Sequence, residues 1–350
     1  MRIREYISLK ALTTLNIGGT ARYFVSVGSV ENLRKAVLFA KKKKLPLVVL
    51  GGGSNVLVTD EELSALVVKI EIKGMEWRDD GRYSDSVIVI AGAGESWDGL
   101  VVEAVKRKLC GIENLSGIPG TVGAAPVQNI GAYGAELKNV LEWVEVVNPK
   151  GSTLRSERLD FSDCQLSYRD SVFKKLKGKS LIITRVALRL EKHGIPNLTY
   201  KDLKNYFEGK PQPTLGQIRR AVIHIRSKKF PDLKKFGTAG SFFKNPIVSK
   251  AQFERLRRKF PDLPGFPISL NAKHLTLNAV KVPLAWILDN ICGLKGYRKG
   301  NLALFERQPI VLVNTGGASA AETKKFADEV IARVKAKTAI DVEWEVQRIS

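Results

Sequence analysis

Strand-like and helix-like patterns of apolar positions alternate in the N-terminal part of the chain. Residues 22–27, 46–58 and 66–70 show apolar runs or period-two alternation, which is typical of strands. Residues 31–44 instead place apolar side chains on one face of a helix, namely Leu33, Ala36, Val37 and Ala40. The pattern therefore predicts a small βαββ unit.

A second strand and helix follow. Residues 86–96 are typical of a strand that ends in glycines, and we expect Gly111 to stop the helix after it. The apolar stripe of that helix consists of Trp97, Leu100, Val101, Ala104, Val105 and Leu109. Residues 143–157 then predict a β-hairpin, and residues 181–190 a long strand.

The C-terminal part begins after a polar, proline-rich stretch at 193–217, which we expect to be a linker. Capping-box spacing predicts helix starts at Thr214 with Gln217, Ser249 with Gln252, and Ser319 with Glu322. Residues 309–314 indicate a buried strand and 341–349 a terminal strand. At 350 residues, the mixed pattern predicts two or three subdomains.

Net charge is the composition value that changes this picture most. The 57 Lys and Arg residues against 35 Asp and Glu give a net charge of +22. Such a surface attracts nucleic acid, but it equally attracts phosphorylated small molecules. Nucleic-acid binding stays an alternative that no sequence motif supports. The densest basic run, 41–44, falls at a helix end, where cations suit the helix dipole and stay solvated.

Apolar runs and cysteines limit the compartment and the chemistry. No apolar run approaches the ~18 residues of a membrane span, and the N-terminal stretch lacks the apolar segment of a signal peptide. We expect a soluble, cytoplasmic protein with no membrane partner. Cys110, Cys164 and Cys292 are odd in number and far apart, which argues against a disulfide framework and against a metal site.

Two glycine-rich segments are candidates for ligand binding. The stretch LGGGSNVLV places five residues in a turn whose N–H groups can approach a phosphate: Gly51, Gly52, Gly53, Ser54 and Asn55. It lacks the lysine of a P-loop, and Val56 stands where a Rossmann fingerprint requires glycine. A plain structural turn is the alternative. The second segment, SGIPGTVGAAPVQNIGAYG, has no clean period and favours backbone wrapping along a dinucleotide.

Seven motifs in register support a family resemblance. They are TTLNIGGTARYF, LGGGSNVLV, ENLSGIPGTVGAAPVQNIGAYGAEL, SYRDSVFK, LTYKDL, AGSFFKNP and EWEVQR. Together they resemble the UDP-N-acetylenolpyruvoylglucosamine reductase family, flavoenzymes that make UDP-N-acetylmuramate for peptidoglycan. The tyrosine in LTYKDL is similar to the substrate-closing tyrosine of the longer subtype. Another FAD oxidoreductase of the same superfamily is the alternative enzyme.

The resemblance implies an α+β fold and its division. An FAD-binding domain of the vanillyl-alcohol-oxidase/PCMH type would consist of two α+β subdomains, 1–72 and 73–200. A C-terminal α+β substrate-binding domain would occupy 215–340, and the strand near 341–350 would return toward the active site. The family also implies a monomer.

The cofactor implied by the resemblance is FAD, with NADPH as the hydride donor. The turn 51–55 would hold the FAD pyrophosphate. The second segment would run along the rest of the cofactor through Ile118, Pro119, Gly120, Val122, Gly123, Ala124 and Ala125. Some superfamily members tether FAD through histidine, but His193, His224 and His274 lie away from both segments. We therefore expect non-covalent FAD and structural histidines.

Arg169 and Glu345 are catalytic by resemblance. Taken alone, Arg169 would be interpreted as an ion pair with Asp170 or Asp163. In the family the matching arginine faces the substrate carboxylate, which suits a planar, always-charged fork. Glu345 alone would be the outward residue of an alternating edge strand. The resemblance instead makes it the carboxyl group that works with Arg169.

Ser241 in AGSFFKNP has three interpretations: a loop cap, a nucleophile or an acid. A nucleophilic serine needs a neighbouring base and a sharp elbow, and neither is visible in the sequence. A hydroxyl is a weak acid, useful only to a strongly basic acceptor such as an enolate or carbanion. The resemblance implies that Ser241 gives its proton to the substrate.

Substrate contacts are also implied by resemblance, at Tyr133, Tyr200, Lys229, Asn245, Lys295 and Gln308. Taken alone, a lysine such as Lys229 would be a solvated surface residue. The chain departs from the family in two places. Gln347, followed by Arg348, stands where an arginine is common, and the segment 264–285 is longer than usual.

Overall fold

The computed structural model describes residues 1–151, 153–268 and 279–350. Its strands are β1 Arg4–Ser8, β2 Thr20–Val27, β3 Leu47–Leu50, β4 Val56–Val58, β5 Leu63–Ile70, β6 Met75–Asp79, β7 Ser86–Gly92, β8 Gly131–Ala132, β9 Ala135–Glu136, β10 Leu141–Val147, β11 Ser156–Asp160, β12 Ile182–Glu191, β13 Gly237–Ser241, β14 Ile247–Ser249, β15 Phe266–Ile268, β16 Ala279–Lys281, β17 Arg298–Lys299, β18 Leu302–Phe305, β19 Gln308–Asn314 and β20 Gln347–Ile349. Its α-helices are α1 Val30–Lys43, α2 Trp97–Lys106, α3 Phe161–Cys164, α4 Lys201–Phe207, α5 Leu215–Lys229, α6 Lys250–Lys259, α7 Leu284–Trp286 and α8 Ala320–Thr338.

The chain forms two compact units, each built from separate stretches of sequence. Unit 1 consists of Met1–Ile7, Thr20–Gly53 and Glu62–Ser227. Unit 2 consists of Ser8–Gly19, Ser54–Glu61 and Lys228–Ser350. The short segment 54–61 therefore belongs to unit 2, although residues on both sides of it belong to unit 1. The subdomain limits drawn from the sequence stay predictions.

The first sheet of unit 1 has the strand order β1-β2-β5-β3, with β5 parallel to both β2 and β3. Helix α1 joins β2 to β3 and buries the predicted stripe, with Ser29 accepting the Asn32 N–H at its start. The basic residues of its last turn are exposed, as expected for solvated cations at a helix end. The predicted βαββ order is confirmed, but β4 pairs with β20 instead of joining this sheet.

The second sheet of unit 1 has the order β11-β10-β12-β7-β6 and is antiparallel throughout. It contains the predicted hairpin, β10 with β11, and the predicted long strand, β12. Helix α2 begins where expected, but its predicted end is wrong. It stops at Lys106 because Lys108 takes a left-handed backbone with φ 59°, and Leu109 is buried beyond the helix.

The expected linker at 193–217 is instead partly helical. It contains α4, whose Leu203 is fully buried. A small apolar cluster surrounds Leu203 and consists of Tyr133, Ile218, Ala221, Val222 and Ile225. Helix α5 starts with the predicted capping box, in which the N–H of Thr214 donates to Gln217 at 2.8 Å. The segment is therefore packed in unit 1.

Unit 2 contains the sheet β13-β19-β18-β17, the small sheet β14-β16-β15 and the parallel pair β20-β4. Its core includes the fully buried rings of Phe242, Phe243 and Phe326. The predicted capping box of Ser319 and Glu322 starts α8. The carboxylate of Asp60 also accepts the N–H groups of the first two residues of α8, at 2.7 and 2.9 Å.

Several compositional predictions concern the chain as a whole. In the residues that the structure describes, no helix is long and apolar enough to cross a membrane. Cys110 and Cys164 are buried thiols, and burial raises the pKa of each to about 12. His274 and residues 269–278 of the long 264–285 segment lie outside the described residues.

Candidate active site

The first glycine-rich turn packs against the second glycine-rich segment in unit 1. A Cβ atom on Gly51 would lie 2.7 Å from Thr121 Oγ1, and one on Gly52 would lie 2.7 Å from the Cα atom of Gly120. These distances leave no room for a side chain, so the two backbones can approach each other only because glycine occupies both positions. The two segments form a cradle of bare backbone.

Thr121 gives this cradle a buried polar group that can bind a ligand. Its Oγ1 is buried and makes no hydrogen bond to any of the residues that the structure describes. The next turn, Val122–Ala124, is fixed by a hydrogen bond of 2.9 Å from the N–H of Gly123 to the carbonyl of Ala93. Bare backbone with an unsatisfied hydroxyl fits an extended ligand with phosphate oxygens, such as FAD.

Arg169 lies at the tip of a tight turn in unit 1. Ser167 and Asp170 exchange backbone hydrogen bonds of 3.0 and 3.2 Å, and Arg169 between them has a left-handed φ of 53°. Lys174 Nζ donates to the Arg169 carbonyl at 2.8 Å. The guanidinium Nη2 donates to the carbonyl of Gly131 at 2.8 Å. The polar turn predicted from SYRDSVFK is present.

The two carboxylates considered as partners of Arg169 have contacts of their own. Asp163 accepts the N–H of Asp160 at 3.1 Å in the capping box that starts α3. Asp170 lies 3.9 Å from the ammonium of Lys175. The backbone position of Arg169 is therefore set by its turn and by Lys174.

Ser241 and Glu345 lie on segments that pair with each other in unit 2. Ser241 ends β13, directly after Gly240, whose φ is 74°. The carbonyl of the next residue, Phe242, accepts the N–H of Glu345 at 2.9 Å. The rings of Phe242 and Trp344 pack with their centroids 4.8 Å apart. The hydroxyl and carboxyl candidates thus come from adjoining backbones.

Glu345 is not the outward residue of an edge strand. It is 8% exposed, and the strand β20 begins only two residues later, at Gln347. The predicted strand over 341–349 is therefore too long, because pairing with β4 extends only over Gln347–Ile349. Arg348 is exposed and lies over the Trp344 ring, 5.8 Å from its centroid.

Tyr133 and Tyr200 are brought together within unit 1. Their rings meet edge to face, with centroids 5.4 Å apart. Tyr133 is buried and Tyr200 is 43% exposed. Burial raises the pKa of the Tyr133 hydroxyl to about 12, and the Arg226 guanidinium hydrogen-bonds to it. Burial also lowers the pKa of Arg226.

The remaining substrate candidates lie in unit 2. Asn245 accepts the N–H of Leu284 through Oδ1 at 2.9 Å, at the start of α7. Lys295 pairs with Asp289 at 3.0 Å. Lys229 is the last residue of α5 and is half-buried, as is Gln308 at the start of β19.

Known proteins match this chain over nearly its full length. A family model described as "FAD binding domain" matches residues 21–157, and one described as "UDP-N-acetylenolpyruvoylglucosamine reductase, C-terminal domain" matches 232–349. The UDP-N-acetylenolpyruvoylglucosamine reductase of Pseudomonas aeruginosa is 40% identical over 347 residues, which cover 99% of this chain and 98% of that protein. That of Bacteroides fragilis is 39% identical over 347 residues, 99% and 100% of the two chains.

The chain belongs to the UDP-N-acetylenolpyruvoylglucosamine reductase family.

Solved structures agree with this family. The reductase from Thermus caldophilus has a TM-score of 0.67 and 26% identity, with all of both chains covered. The 6-hydroxy-D-nicotine oxidase from Arthrobacter nicotinovorans has a TM-score of 0.54 and 13% identity over 97% of this chain and 86% of its own, which shows a shared fold alone. The predicted α+β fold of the vanillyl-alcohol-oxidase/PCMH type is confirmed, and FAD is the cofactor of this reductase family member.

Sequence analysis did not single out Thr121 or Arg226. The Thr121 hydroxyl could have been suspected, because it is the polar side chain in the middle of the second glycine-rich segment. Arg226 gives no such signal. It lies in α5 within a run of basic residues, and only the fold pairs it with Tyr133.

Proposed function

We propose that this reductase family member catalyses the NADPH-dependent reduction of UDP-N-acetylglucosamine enolpyruvate to UDP-N-acetylmuramate, a peptidoglycan precursor. The supporting observation is the pairing of the Ser241 segment with the Glu345 segment through the 2.9 Å hydrogen bond between Glu345 N–H and the Phe242 carbonyl. It places a hydroxyl and a buried carboxyl group on adjoining backbones in a chain with an FAD-binding domain.

FAD held by the cradle of 51–53 and 118–125 would supply the redox chemistry, which is hydride transfer from NADPH to C3 of the enolpyruvyl group. Negative charge then develops at C2 and on the adjoining carboxylate. The Arg169 guanidinium binds that carboxylate as a planar fork, and Glu345 helps to polarise it. The Ser241 hydroxyl gives its proton to C2, so that the hydride and the proton together complete the reduction.

The other candidate residues take binding roles in this proposal. The cradle of 51–53 and 118–125, with Ser54 and Asn55, holds the cofactor. Tyr200 closes over the substrate beside Tyr133, a role supported by its edge-to-face contact and its exposure. The UDP diphosphate and sugar are bound by Lys229, Asn245, Lys295 and Gln308. Cytoplasmic location and a monomeric state stay predictions.

The test separates the two halves of the reaction. The purified protein with FAD is reduced anaerobically by NADPH, and the flavin absorbance is followed after addition of enolpyruvyl-UDP-GlcNAc. We expect reoxidation of the flavin only when this substrate is present. No reoxidation, together with flavin reduction by an alcohol or hydroxy acid, would indicate another oxidoreductase of the superfamily. A colourless protein that FAD does not reconstitute would favour the nucleic-acid-binding alternative.

A further inference from the structure

Asn55 lies where the parallel pairing of β4 with β20 ends. Val56 is the register partner of Gln347, and the N–H of Gln347 donates to the Asn55 carbonyl at 3.0 Å. Next to this backbone pairing, the Asn55 side chain makes a further hydrogen bond between the two segments. Its Nδ2 donates to the carbonyl of Glu345 at 3.2 Å. The side-chain amide thus adds one hydrogen bond to the ladder, just before β20 begins.

Glu345 is consequently fixed by two different segments of unit 2. Its N–H donates to Phe242, next to Ser241, and its carbonyl accepts from Asn55. The residue is 8% exposed. Since both of its backbone polar groups have partners, the point from which its carboxyl side chain projects is defined on either side.

We infer that Asn55 is a positioning residue for Glu345, a role separate from any contact that its loop makes with the cofactor. The inference rests on the proposed function for the part that Glu345 plays. An amide suits this position because Nδ2 is a donor. An aspartate in the same place would bring a carboxylate oxygen against the carbonyl oxygen of Glu345, and neither group can donate.

The expected signature is a loss of rate without a matching loss of stability. A single neutral hydrogen bond contributes little to the global stability of a protein. Misplacing a reacting group by about 1 Å, in contrast, can cost about 100-fold in rate. Removal of the Asn55 amide should therefore slow the half-reaction that uses Glu345 more than the half-reaction with NADPH.

The first experiment compares Asn55→Ala and Asn55→Asp with the wild-type holoenzyme at saturating FAD. We expect reoxidation by enolpyruvyl-UDP-GlcNAc to slow by about 10- to 100-fold, and by a larger factor than flavin reduction by NADPH, whose own change reports any effect of Asn55 on the cofactor. Asn55→Asp should be at least as slow as Asn55→Ala. The matched control is Leu57→Val, a core position in β4. It should lower the unfolding temperature without a selective effect on reoxidation.

The second experiment measures amide hydrogen exchange in the segment 343–347 of the same holoenzymes and needs no substrate. We expect exchange there to be about 10-fold faster in Asn55→Ala than in Leu57→Val. Equal slowing of both half-reactions, or unchanged exchange in this segment, would overturn the inference. Wild-type protein that shows no substrate-dependent reoxidation would refute the proposed function instead, and the exchange comparison would still decide the role of Asn55.

Discussion

Arg169 in unit 1 and Glu345 in unit 2 are positioned in opposite ways. Two contacts of Arg169 are closer in sequence, since Lys174 is five positions away and Gly131 is 38 positions away. The carbonyl of Glu345 is hydrogen-bonded to Asn55, 290 positions away. Arg169 also has an unfavourable left-handed backbone, φ 53°, which persists only when surrounding contacts enforce it. Glu345 depends on the folding of unit 2 around it.

This difference determines which perturbations reach each residue. A local turn closes a short loop at small entropic cost, whereas joining distant segments requires the whole unit to be ordered. Changes inside SYRDSVFK should therefore affect Arg169 with little effect elsewhere. Changes in any of three distant segments of unit 2 should affect Glu345 and Ser241.

The largest expected effect concerns Ser241 in unit 2. Ser241→Ala removes the proposed proton donor, so substrate reduction should slow by several orders of magnitude while flavin reduction by NADPH stays nearly intact. Stopped-flow absorbance of the two half-reactions measures this. Ser249→Ala is the control, because it removes the hydroxyl that caps α6 and should cost stability, about 1 kcal/mol, rather than turnover. Equal loss in both half-reactions of Ser241→Ala would contradict the assignment.

The second prediction breaks the local support of Arg169. Lys174→Met removes the 2.8 Å hydrogen bond to the Arg169 carbonyl, and a hydrogen bond from a charged group contributes about 1.5–3 kcal/mol. We expect kcat/KM for the enolpyruvyl substrate to fall by about 10- to 100-fold, measured by steady-state kinetics. Lys175→Met is the matched control, because the exposed Lys175 contacts Gln165 and Asp170 instead. A similar loss of kcat/KM in both variants would show that removal of a positive charge, rather than loss of the hydrogen bond to the Arg169 carbonyl, causes the effect.

The third prediction tests the backbone before Ser241. Gly240 has φ 74°, and a Cβ atom there would meet nothing within 4 Å, so Gly240→Ala opposes only the left-handed backbone, at about 1–2 kcal/mol. We expect a lower unfolding temperature and slower flavin reoxidation. Gly300→Ala carries the same strain at φ 57° in open space. Gly300→Ala should lose as much stability as Gly240→Ala in denaturant unfolding but keep the wild-type rate of flavin reoxidation. Equal reoxidation rates in the two variants would contradict the prediction.

The smallest expected effect is electrostatic and belongs to unit 1. Burial raises the pKa of Asp98, but hydrogen bonds from Arg219 and from the Gly117 N–H outweigh it and leave the pKa below its ordinary value. The contribution of ionised Asp98 to the free energy of unfolding is therefore complete above the unfolded-state pKa of about 3.9. It is lost as pH falls through the lower folded-state pKa. Asp98→Asn should cost about 1 kcal/mol at neutral pH, after allowance for solvent screening.

Denaturant unfolding of wild type and Asp98→Asn at several pH values measures this difference, which should shrink below pH about 4. Glu343→Gln is the control in unit 2. Its ion pair with Lys244 is at the surface, where such pairs contribute little. If the stability difference between wild type and Asp98→Asn stays constant down to strongly acidic pH, the substitution acts through packing rather than through the charge of Asp98.

Local patterns of sequence predicted local structure well. The buried stripe of α1, the hairpin of β10 and β11 and the helix starts at Thr214, Ser249 and Ser319 depend on residues a few positions apart, and all are present. The turn around Arg169 belongs to the same class. Helix α4 was missed because its surroundings are polar and proline-rich, and a single buried leucine, Leu203, is too short a pattern to indicate a helix.

The surroundings of Glu345 could not be predicted from spacing. Period-two alternation indicates which residues share a face, but it does not tell which face is buried when the partner strand lies far away in sequence. Here the partner strand is β4, a strand of unit 2 that lies in sequence between residues of unit 1. The segment that hydrogen-bonds to Glu345 contains Phe242. Resemblance to the family, rather than periodicity, pointed to Glu345.

The pairing of β4 with β20 also has a consequence for biosynthesis. The ribosome makes Val56–Val58 long before it makes Gln347–Ile349. At about 5–20 residues per second, β4 emerges roughly 15–60 s before its partner. The turn of Arg169 can form during that interval, whereas the environment of Glu345 cannot. A nascent chain would therefore order the proposed catalytic groups one after the other, with the Glu345 carboxyl group last. Until then β4 would stay unpaired and accessible to chaperones.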